Sequence, residues 1–565
     1  MTHVLSAHYI LLVFVVIAAG VLVPRLILQI AVARRLRRRG QSPRRERAAD
    51  LSVASAYDAQ LPAAERTPRV DDRTWSDLDL DEVFRSLDHT ASEPGRQYLY
   101  HLMRSPGAAT DALRRLDAAA KTMAACPAVA EALRQALAPL AGPDAGYFVQ
   151  LLFAELPARP VFWWTFPTLT AAAAGCAIAA PFWPVAGAYL VGLAVLNLAA
   201  QAAYKPVVKR YLPAIRQIRA FLNAAERVAA VAEGLSAEPQ EVLRDGARRL
   251  HGLKRSASWL LLEASSQGGS ANEYVASLAE YVNLFFLLDV NAYLFSVEAV
   301  RAERARLRAM FDAIGWLDAA QSLAAWRATL PHWCAPEFTA PQKSLDVAGL
   351  VHPLVADPVP NDLAVDGTGV LVTGSNMAGK TTFVRALGVS AVLAQTLFTA
   401  CADRWRSPRL TVRSSIGRAD SVVEGKSYYL AEVESVRALI RAKDDGTQHL
   451  FLLDETFRGT NTTERVAAAY AVLRHLVQGL DLVVVATHDL EVLDLLGGAY
   501  AAYHFREQVT NDELTFDYRL QPGPSSTRNA IALLRFMEYP DELVRDAVAN
   551  LDWQARHRAR NADPE

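Results

Sequence analysis

The chain opens with a long apolar stretch. Residues 10–23 are almost continuously apolar, apolar residues resume at 26–33, and arginines crowd positions 34–39. About 20 apolar residues are enough to cross a bilayer, and basic residues mark the cytoplasmic end of a span. A signal peptide would carry its positive charge before the apolar stretch rather than after it. The pattern predicts a transmembrane helix within residues 1–33 with its carboxyl end in the cytoplasm; a buried helix of a soluble domain is the alternative.

Two more apolar runs, at 161–180 and 182–203, contain no charged residue. Pro181 and Pro184 mark a turn between them, and tryptophans stand near the ends, as in the aromatic belts of membrane proteins. Basic residues flank the pair on both sides. The pattern predicts a transmembrane hairpin at 161–203 with both ends cytoplasmic. Two core helices of a soluble bundle are the alternative, because the runs are rich in Ala and only just long enough to span.

The segments around these stretches are mostly helical in pattern. Residues 34–74 are rich in charge, Ala and Pro, which is typical of a flexible tether. Apolar positions recur at helical spacing in 75–160 and again in 204–340. These two segments predict an all-α core domain, in two parts, whose long helices serve as a scaffold or lever.

The pattern changes to α/β in residues 341–565. Short apolar runs alternate with helical segments, which indicates a largely parallel sheet. The strand candidates are 370–373, 409–413, 450–453 and 482–486.

Composition narrows the function classes. The chain has 565 residues, of which 52% are hydrophobic, so it can bury several cores, but its net charge of −1 provides no global basic field for nucleic acid. Any DNA binding would need a local basic patch. The cysteines show no Cys-x-x-Cys spacing, which argues against a zinc site or a disulfide framework and suits a reducing compartment. They are Cys126, Cys176, Cys334 and Cys401.

A glycine-rich phosphate-binding loop follows the first strand candidate of the α/β region. The sequence GSNMAGKT fits Gly-x-x-x-x-Gly-Lys-[Ser/Thr] between an apolar run and a helical pattern, the context that this motif requires. Backbone N–H groups would surround the phosphates, the lysine would reach the terminal ones, and the last threonine would bind Mg²⁺. The loop comprises Gly374, Ser375, Asn376, Met377, Ala378, Gly379, Lys380 and Thr381, with Thr382 next.

Three other polar positions are candidates for the same site. Asp454 and Glu455 end an apolar run, so Asp454 is expected to support the Mg²⁺ and Glu455 to polarise the attacking water. His488 follows another apolar run and could sense the γ-phosphate; a hydrogen-bonded loop histidine is an equal alternative. Ser427 lies in a polar loop before a helical segment, and nothing local gives it a catalytic role.

These motifs resemble those of the MutS family of ATPases. The similarity extends to helical segments at 77–106 and 316–326 and to a C-terminal helical stretch at 525–548. No counterpart of the family's mismatch-recognition domain is evident in the first 74 residues. In chain order the four matching motifs are TGSNMAGKTT at 373–382, GKSYYLAEV at 425–433, LLDETFRGTNTTE at 452–464 and ATHDLEVL at 486–493.

The resemblance implies a fold and a set of roles. The fold is an α/β P-loop NTPase domain of the ABC/MutS type, joined to an all-α core/lever domain with transmembrane helices. The cofactors are ATP and Mg²⁺, and a homodimer would form two composite sites. Lys380 and Thr381 would bind phosphate and metal, and Asp454 would support the metal. Glu455 and His488 would act in catalysis, and Ser427 would act on the nucleotide of the opposing subunit.

Two hypotheses for function remain open. The first is a membrane-anchored MutS-like ATPase, lacking the recognition domain, that acts on DNA through basic residues such as Lys205, Lys209 and Arg210. The second is an ATP-driven switch that acts on a membrane or protein partner without nucleic acid. A transporter is weaker, because the hairpin lacks the charged residues that a polar pathway needs. All place the protein in the cell (inner) membrane, with three spans and a cytoplasmic ATPase domain.

Overall fold

The computed structural model of the chain describes residues 51–550 except 67, 154, 157, 233–234, 252–281, 283–284, 376–377, 418–427, 458–459, 510–513, 525–536 and 538. The transmembrane helix predicted within 1–33 lies outside the described residues, as does most of the C-terminal helical stretch at 525–548.

The described residues form two compact units. The helical unit contains the described residues up to Glu65, with Asp88–His101 and Ala118–Ala325. The sheet unit contains Arg66–Leu87, Leu102–Asp117 and the described residues from Trp326 onward. The sequence pattern placed all of 75–160 in one helical domain, whereas the structure assigns 66–87 and 102–117 to the unit that holds the sheets.

Sixteen α-helices with assigned bounds in the described residues are numbered here in chain order. The first eight are α1 Leu51–Ala54, α2 Ala56–Gln60, α3 Asp72–Asp77, α4 Leu80–Leu87, α5 Glu93–Arg104, α6 Thr110–Ala125, α7 Pro127–Leu137 and α8 Phe148–Phe153. The others are α9 Thr165–Ala179, α10 Pro184–Val231, α11 Ala237–Arg249, α12 Leu288–Arg327, α13 Lys380–Leu397, α14 Tyr428–Ala442, α15 Thr462–Leu476 and α16 Leu490–Leu496.

Residues predicted as a flexible tether are folded from residue 51 onward. Tyr57 is 2% exposed, stacks on Phe311 with ring centroids 5.2 Å apart, and donates a hydrogen bond to Asp312 Oδ1 at 2.5 Å. The Gln97 side-chain amide donates to the carbonyl of Val53 at 3.0 Å. The prediction of a tether at 34–74 is therefore wrong for its second half, because a few large side chains with long-range partners anchor it despite weak periodicity.

The predicted hairpin appears as α9 and the first half of α10. Of the described residues, only Pro184–Tyr204 forms a helical stretch long and apolar enough to cross a membrane, and α9 has 15 residues. Residues 161–164, which the sequence pattern counted in the first span, form turns instead. The described residues therefore provide one candidate span where the sequence pattern predicted two, so the prediction of three transmembrane helices is not supported by them.

Polar side chains of α9 and α10 donate hydrogen bonds to backbone carbonyl groups at a helix break just before α12. Leu287 has φ +47°, so the helical hydrogen bonding ends there and leaves carbonyls without helical donors. The Thr170 hydroxyl donates to the carbonyl of Phe286 at 2.7 Å, and the Asn197 amide donates to that of Phe285 at 2.7 Å. Asn291 then donates to the Thr170 hydroxyl at 2.8 Å. These bonds fix the apolar pair against the start of α12.

The sheet unit contains two sheets. A six-stranded sheet has the order β10-β9-β4-β8-β7-β6, with neighbours parallel except for the antiparallel pair β9–β10, and a four-stranded sheet has the order β1-β5-β2-β3. The strand candidates at 370–373, 409–413, 450–453 and 482–486 correspond to β4, β6, β7 and β8. The strands are β1 Glu337–Phe338, β2 Ser344–Leu350, β3 Asn361–Asp366, β4 Gly369–Thr373, β5 Arg404–Ser407, β6 Thr411–Ile416, β7 His449–Asp454, β8 Leu482–Ala486, β9 Tyr500–Val509 and β10 Leu514–Pro522.

Helix α3 covers the open edge of the six-stranded sheet. The edge strand β6 exposes backbone N–H groups that need acceptors. Asp77 Oδ2 accepts hydrogen bonds from the Ile416 N–H at 3.0 Å and the Ser414 hydroxyl at 2.8 Å. The Thr74 hydroxyl accepts from the Ser414 N–H at 3.1 Å, and Arg413 donates to Asp71 at 2.8 Å. Residues far away in the sequence therefore complete this sheet.

Replacing Asp77 with Ala is expected to lower the free energy of unfolding of the sheet unit by about 2–4 kcal/mol, since the Ile416 N–H and the Ser414 hydroxyl lose a buried acceptor. Urea unfolding followed by tryptophan fluorescence measures the change. Glu82→Ala, at an exposed position of α4, is the control and should change stability by less than about 0.5 kcal/mol. Equal unfolding midpoints for the two variants would contradict this role for Asp77.

Candidate nucleotide-binding site

The predicted site residues described by the structure meet at one edge of the six-stranded sheet. Strands β4, β8 and β7 are parallel neighbours, with Val372 opposite Ala486 and Ala486 opposite Asp454. Their carboxyl ends therefore lie side by side. The ladder continues past the strands, because the Glu455 N–H donates to the carbonyl of Ala486 at 2.8 Å. Residues that follow three separate strands are thus held in fixed relative positions.

The glycines of the loop occupy conformations that other residues adopt only with strain. Gly374 has φ +131° and Gly379 has φ +104°. A Cβ at position 374 would lie 2.8 Å from the backbone oxygen of Phe505, so side chains are excluded there by contact as well as by conformation. The hydroxyl of Ser375 is buried and has no hydrogen-bond partner among the described residues. An unsatisfied buried hydroxyl beside glycines of positive φ fits an anionic ligand.

The Lys380 side chain is buried in the loop. It is 2% exposed, and its ammonium donates hydrogen bonds to the carbonyl oxygens of Gly374 at 2.6 Å and Ser375 at 2.7 Å. Lys380 Nζ also lies 3.4 Å from His488 Nε2. Since Lys380 is the first residue of α13, the ammonium lies beside the positive end of that helix dipole. This concentration of positive charge matches a polyphosphate.

Thr381 and Asp454 form the donor set expected for Mg²⁺. The Thr381 hydroxyl donates to Asp454 Oδ2 at 2.6 Å, and Asp454 is 8% exposed at the end of β7. A hydroxyl and a carboxylate are oxygen ligands of the kind that Mg²⁺ uses together with substrate phosphates. These residues therefore fit the ion that the sequence predicted. Thr382, the next residue along α13, is exposed.

Glu455 and His488 are in direct contact. Glu455 Oε1 lies 2.7 Å from His488 Nε2. Glu455 has φ +50°, a strained conformation for a non-glycine residue and one that tends to occur at functional sites. The contact brings a carboxylate and an imidazole next to the Lys380 ammonium. Glu455 is therefore linked through His488 to Lys380 of the loop, and its carboxylate is a group that can accept a proton from water.

Two neighbouring features were not predicted from the sequence. Arg465 on α15 donates two hydrogen bonds to Asp489, at 2.8 and 2.7 Å, which raise the pKa of Arg465 and fix the turn after His488. Tyr518 on β10, with φ +50°, lies so close to the loop that a Cβ on Gly379 would be 3.3 Å from its ring. The one sequence signal for the Arg465–Asp489 pair was the position of Asp489 next to His488. The sequence pattern of β10 gives no signal that Tyr518 lies near the loop.

Three of the predicted site residues cannot be placed. Asn376 and Met377 of the loop and Ser427 of the polar loop lie outside the described residues. The structure therefore brings together Gly374, Ser375, Ala378, Gly379, Lys380, Thr381, Asp454, Glu455 and His488.

Comparison with known proteins gives the same family for the family model and for the individual relatives. Residues 370–553 match the protein family described as MutS domain V. Relatives include the DNA mismatch repair proteins MutS of Thermus aquaticus, 33% identical over 211 residues (37% of this chain, 26% of that protein), and of Petrotoga mobilis, 30% identical over 219 residues (37% of this chain, 27% of that protein). The MutS of Thermus thermophilus is 33% identical over 201 residues, covering 35% of this chain and 24% of that protein.

The chain thus spans about a quarter of the length of these relatives. The matched region contains the whole cluster from the glycine-rich loop to His488. Residues 370–553 of the chain are therefore similar to domain V of the MutS family.

Proposed function

We propose that this protein binds ATP with Mg²⁺ at the loop 374–382 and hydrolyses it. The observation that carries the proposal is the convergence of Lys380, the Thr381–Asp454 pair and the Glu455–His488 pair on one edge of the sheet. Phosphoryl transfer to water requires positioning, charge neutralisation and an oriented nucleophile, and these groups are suited to those tasks.

Each group has a distinct role in this proposal. Lys380 exchanges the carbonyls of Gly374 and Ser375 for phosphate oxygens when nucleotide enters. Thr381 and Asp454 would hold Mg²⁺, which when bound neutralises phosphate charge. Glu455 orients water and accepts its proton, and His488 holds the Glu455 carboxylate in place. His488 is thereby also positioned to respond to the terminal phosphate.

Hydrolysis by the detergent-solubilised full chain should require a divalent cation. Excess EDTA is expected to abolish phosphate release, and added Mg²⁺ to restore it, because Thr381 and Asp454 provide oxygen ligands only. Asp454→Asn should raise the Mg²⁺ concentration needed for half-maximal rate, whereas Asp494→Asn, an exposed position on α16, should not. Hydrolysis at full rate in EDTA would overturn the proposed role of this pair.

The proposal includes a homodimer with composite sites. Its support is the MutS relatives together with Ser427, whose motif GKSYYLAEV resembles the family's loop that acts across subunits. Sedimentation of the Glu455→Gln variant with and without ATP tests it. A variant that stays monomeric at saturating ATP would argue against composite sites.

Membrane anchoring by the α9–α10 pair is also part of the proposal. Its large apolar side chains face outward: Trp183 is 73% exposed, Tyr189 67% and Val195 66%. Exposed apolar surface of this kind marks membrane or partner contact. Alkaline carbonate extraction of cell membranes is the test. The protein should remain in the pellet, and its release to the supernatant would contradict anchoring.

Two partners are proposed for the ATP-driven change. DNA is supported by the names of the relatives. A membrane or protein partner is supported by the exposed apolar side chains of α9 and α10. It is also supported by basic residues that are already paired with carboxylates, since Arg249 lies 2.8 Å from Asp245 and Arg301 lies 2.5 Å from Glu298. Lys205, Lys209, Arg210 and Arg216 lie on α10, but their side chains are outside the described residues.

Retention on immobilised duplex DNA at increasing salt separates these partners. Binding through phosphates falls steeply with salt. A DNA-acting enzyme should be retained at low salt and released as salt rises, whereas no retention at low salt would leave the membrane or protein partner as the favoured hypothesis.

A further inference from the structure

An open apolar groove lies between α9 and α10, near the turn that joins them. Its volume is about 450 Å³, and it is lined by Gly175, Cys176, Ala179, Trp183, Ala186 and Tyr189. Polar atoms contribute almost nothing to its lining. The groove thus has the chemistry of a helix-packing surface rather than of a site for a polar ligand.

The small residues of the groove leave room for another helix. A Cβ on Gly175 would meet no atom within 4 Å, so packing within the described chain does not require glycine at this position. Glycine is unfavourable in the middle of a helix, and in membrane helices small residues allow a second backbone to approach closely. Gly175 and Ala179 are spaced four residues apart, as in such interfaces.

The chain itself carries an apolar segment within reach of the groove. Residues 10–23 are uncharged, like the groove, and residues 34–50 can extend over about 58 Å at about 3.4 Å per residue. The described chain starts at Leu51, and the Tyr57 ring lies 5.6 Å from that of Phe153. Phe153 comes only twelve residues before Thr165, where α9 begins. The chain that follows the N-terminal segment is thus packed, at Tyr57, against a residue that lies shortly before α9.

We propose that this groove receives the chain's own N-terminal apolar segment, residues 10–33, as a third packed element. In the predicted topology this segment runs antiparallel to α9, so its first half is level with the groove near the turn. The inference rests on the proposed membrane anchoring and is independent of the ATPase site. It makes the N-terminal segment part of the helical unit rather than a separate anchor.

Disulfide cross-linking in native membranes tests the proposal, since Cys176 already lines the groove. The other cysteines are replaced (Cys126→Ser, Cys334→Ser, Cys401→Ala), and single cysteines are placed at Phe14, Val15, Val16 and Ile17. After oxidation with copper phenanthroline, we expect an intramolecular disulfide bond with Cys176. It should form only from those of the four positions that lie on the helix face turned toward the groove. Leu28→Cys, toward the other end of the segment, should not react.

Three results would overturn the proposal: no bond from any of the four positions, equal yields at Leu28, or covalent dimers alone, which would make a second copy the occupant. Gly175→Leu should fill the groove and lower the yield several-fold, whereas Gly192→Leu, also in open space but outside the groove, should leave it unchanged. Carbonate extraction of the same samples separates the two failures, because a chain that stays in the membrane without cross-linking is anchored but not docked.

Discussion

Replacing Glu455 with Gln is expected to lower kcat for ATP hydrolysis about 10²–10⁴-fold, the usual contribution of a general base, while ATP binding is retained. The substitution keeps the shape of the side chain but removes the charge that attracts the proton of water. Glu455 is not among the loop residues or the Thr381–Asp454 pair that would contact the nucleotide and the metal. Steady-state phosphate release and equilibrium binding of a fluorescent ATP analogue measure the two effects separately.

Asp494→Asn is the matched control for this variant, because it removes an exposed carboxylate from the helix that follows β8. Its kcat should equal that of the unmodified protein. If Glu455→Gln hydrolysed ATP at the unmodified rate, the carboxylate would not be the base. If it lost binding as well, Glu455 would serve to hold the loop instead.

Replacing Lys380 with Ala is expected to weaken ATP binding by at least about 100-fold, since charge-assisted hydrogen bonds to phosphate are lost. The ammonium is buried, and it is bonded to the carbonyls of Gly374 and Ser375. Lys380→Met keeps the apolar stem and separates the loss of charge from the loss of packing. Titration with the fluorescent analogue measures the dissociation constant of each variant.

Arg437→Ala, at an exposed position of α14, controls for the loss of one positive charge. It should bind the analogue as the unmodified protein does. Unchanged affinity in both Lys380 variants would show that the loop is not the phosphate site, whatever their hydrolysis rates.

Four of the ten strands of the sheet unit were predicted, because their signals are local, whereas β1, β2, β3, β5, β9 and β10 were not. Buried parallel strands are continuous apolar runs, so β4, β7 and β8 were recognisable with small shifts of their ends. Parallel strands bring their carboxyl ends to one edge, so the sequence also predicted that Lys380, Asp454 and His488 would meet. The contact between Glu455 and His488 was not predictable, because it depends on the positive φ of Glu455 and on its bond to the carbonyl of Ala486.

Other features depend on contacts that no local pattern records. The predicted tether contains Tyr57, which is held by Phe311 and Asp312 from a helix more than 250 residues away. Asp77 completes the edge strand β6 by a bond to Ile416, which is 339 residues away in the sequence. The apolar composition of 161–180 suggested a full span, but helix α9 begins only at Thr165. Composition shows which residues are apolar, but it does not show how many of them belong to a helix.

The most direct test of the nucleotide site is the retention of radiolabelled ATP with Mg²⁺ by the Glu455→Gln variant, compared with the double variant that also carries Lys380→Ala. We predict stoichiometric, slowly released ATP in the single variant and none in the double variant. Equal retention by both proteins would contradict the account, because ATP would then be bound without the loop that Lys380 completes.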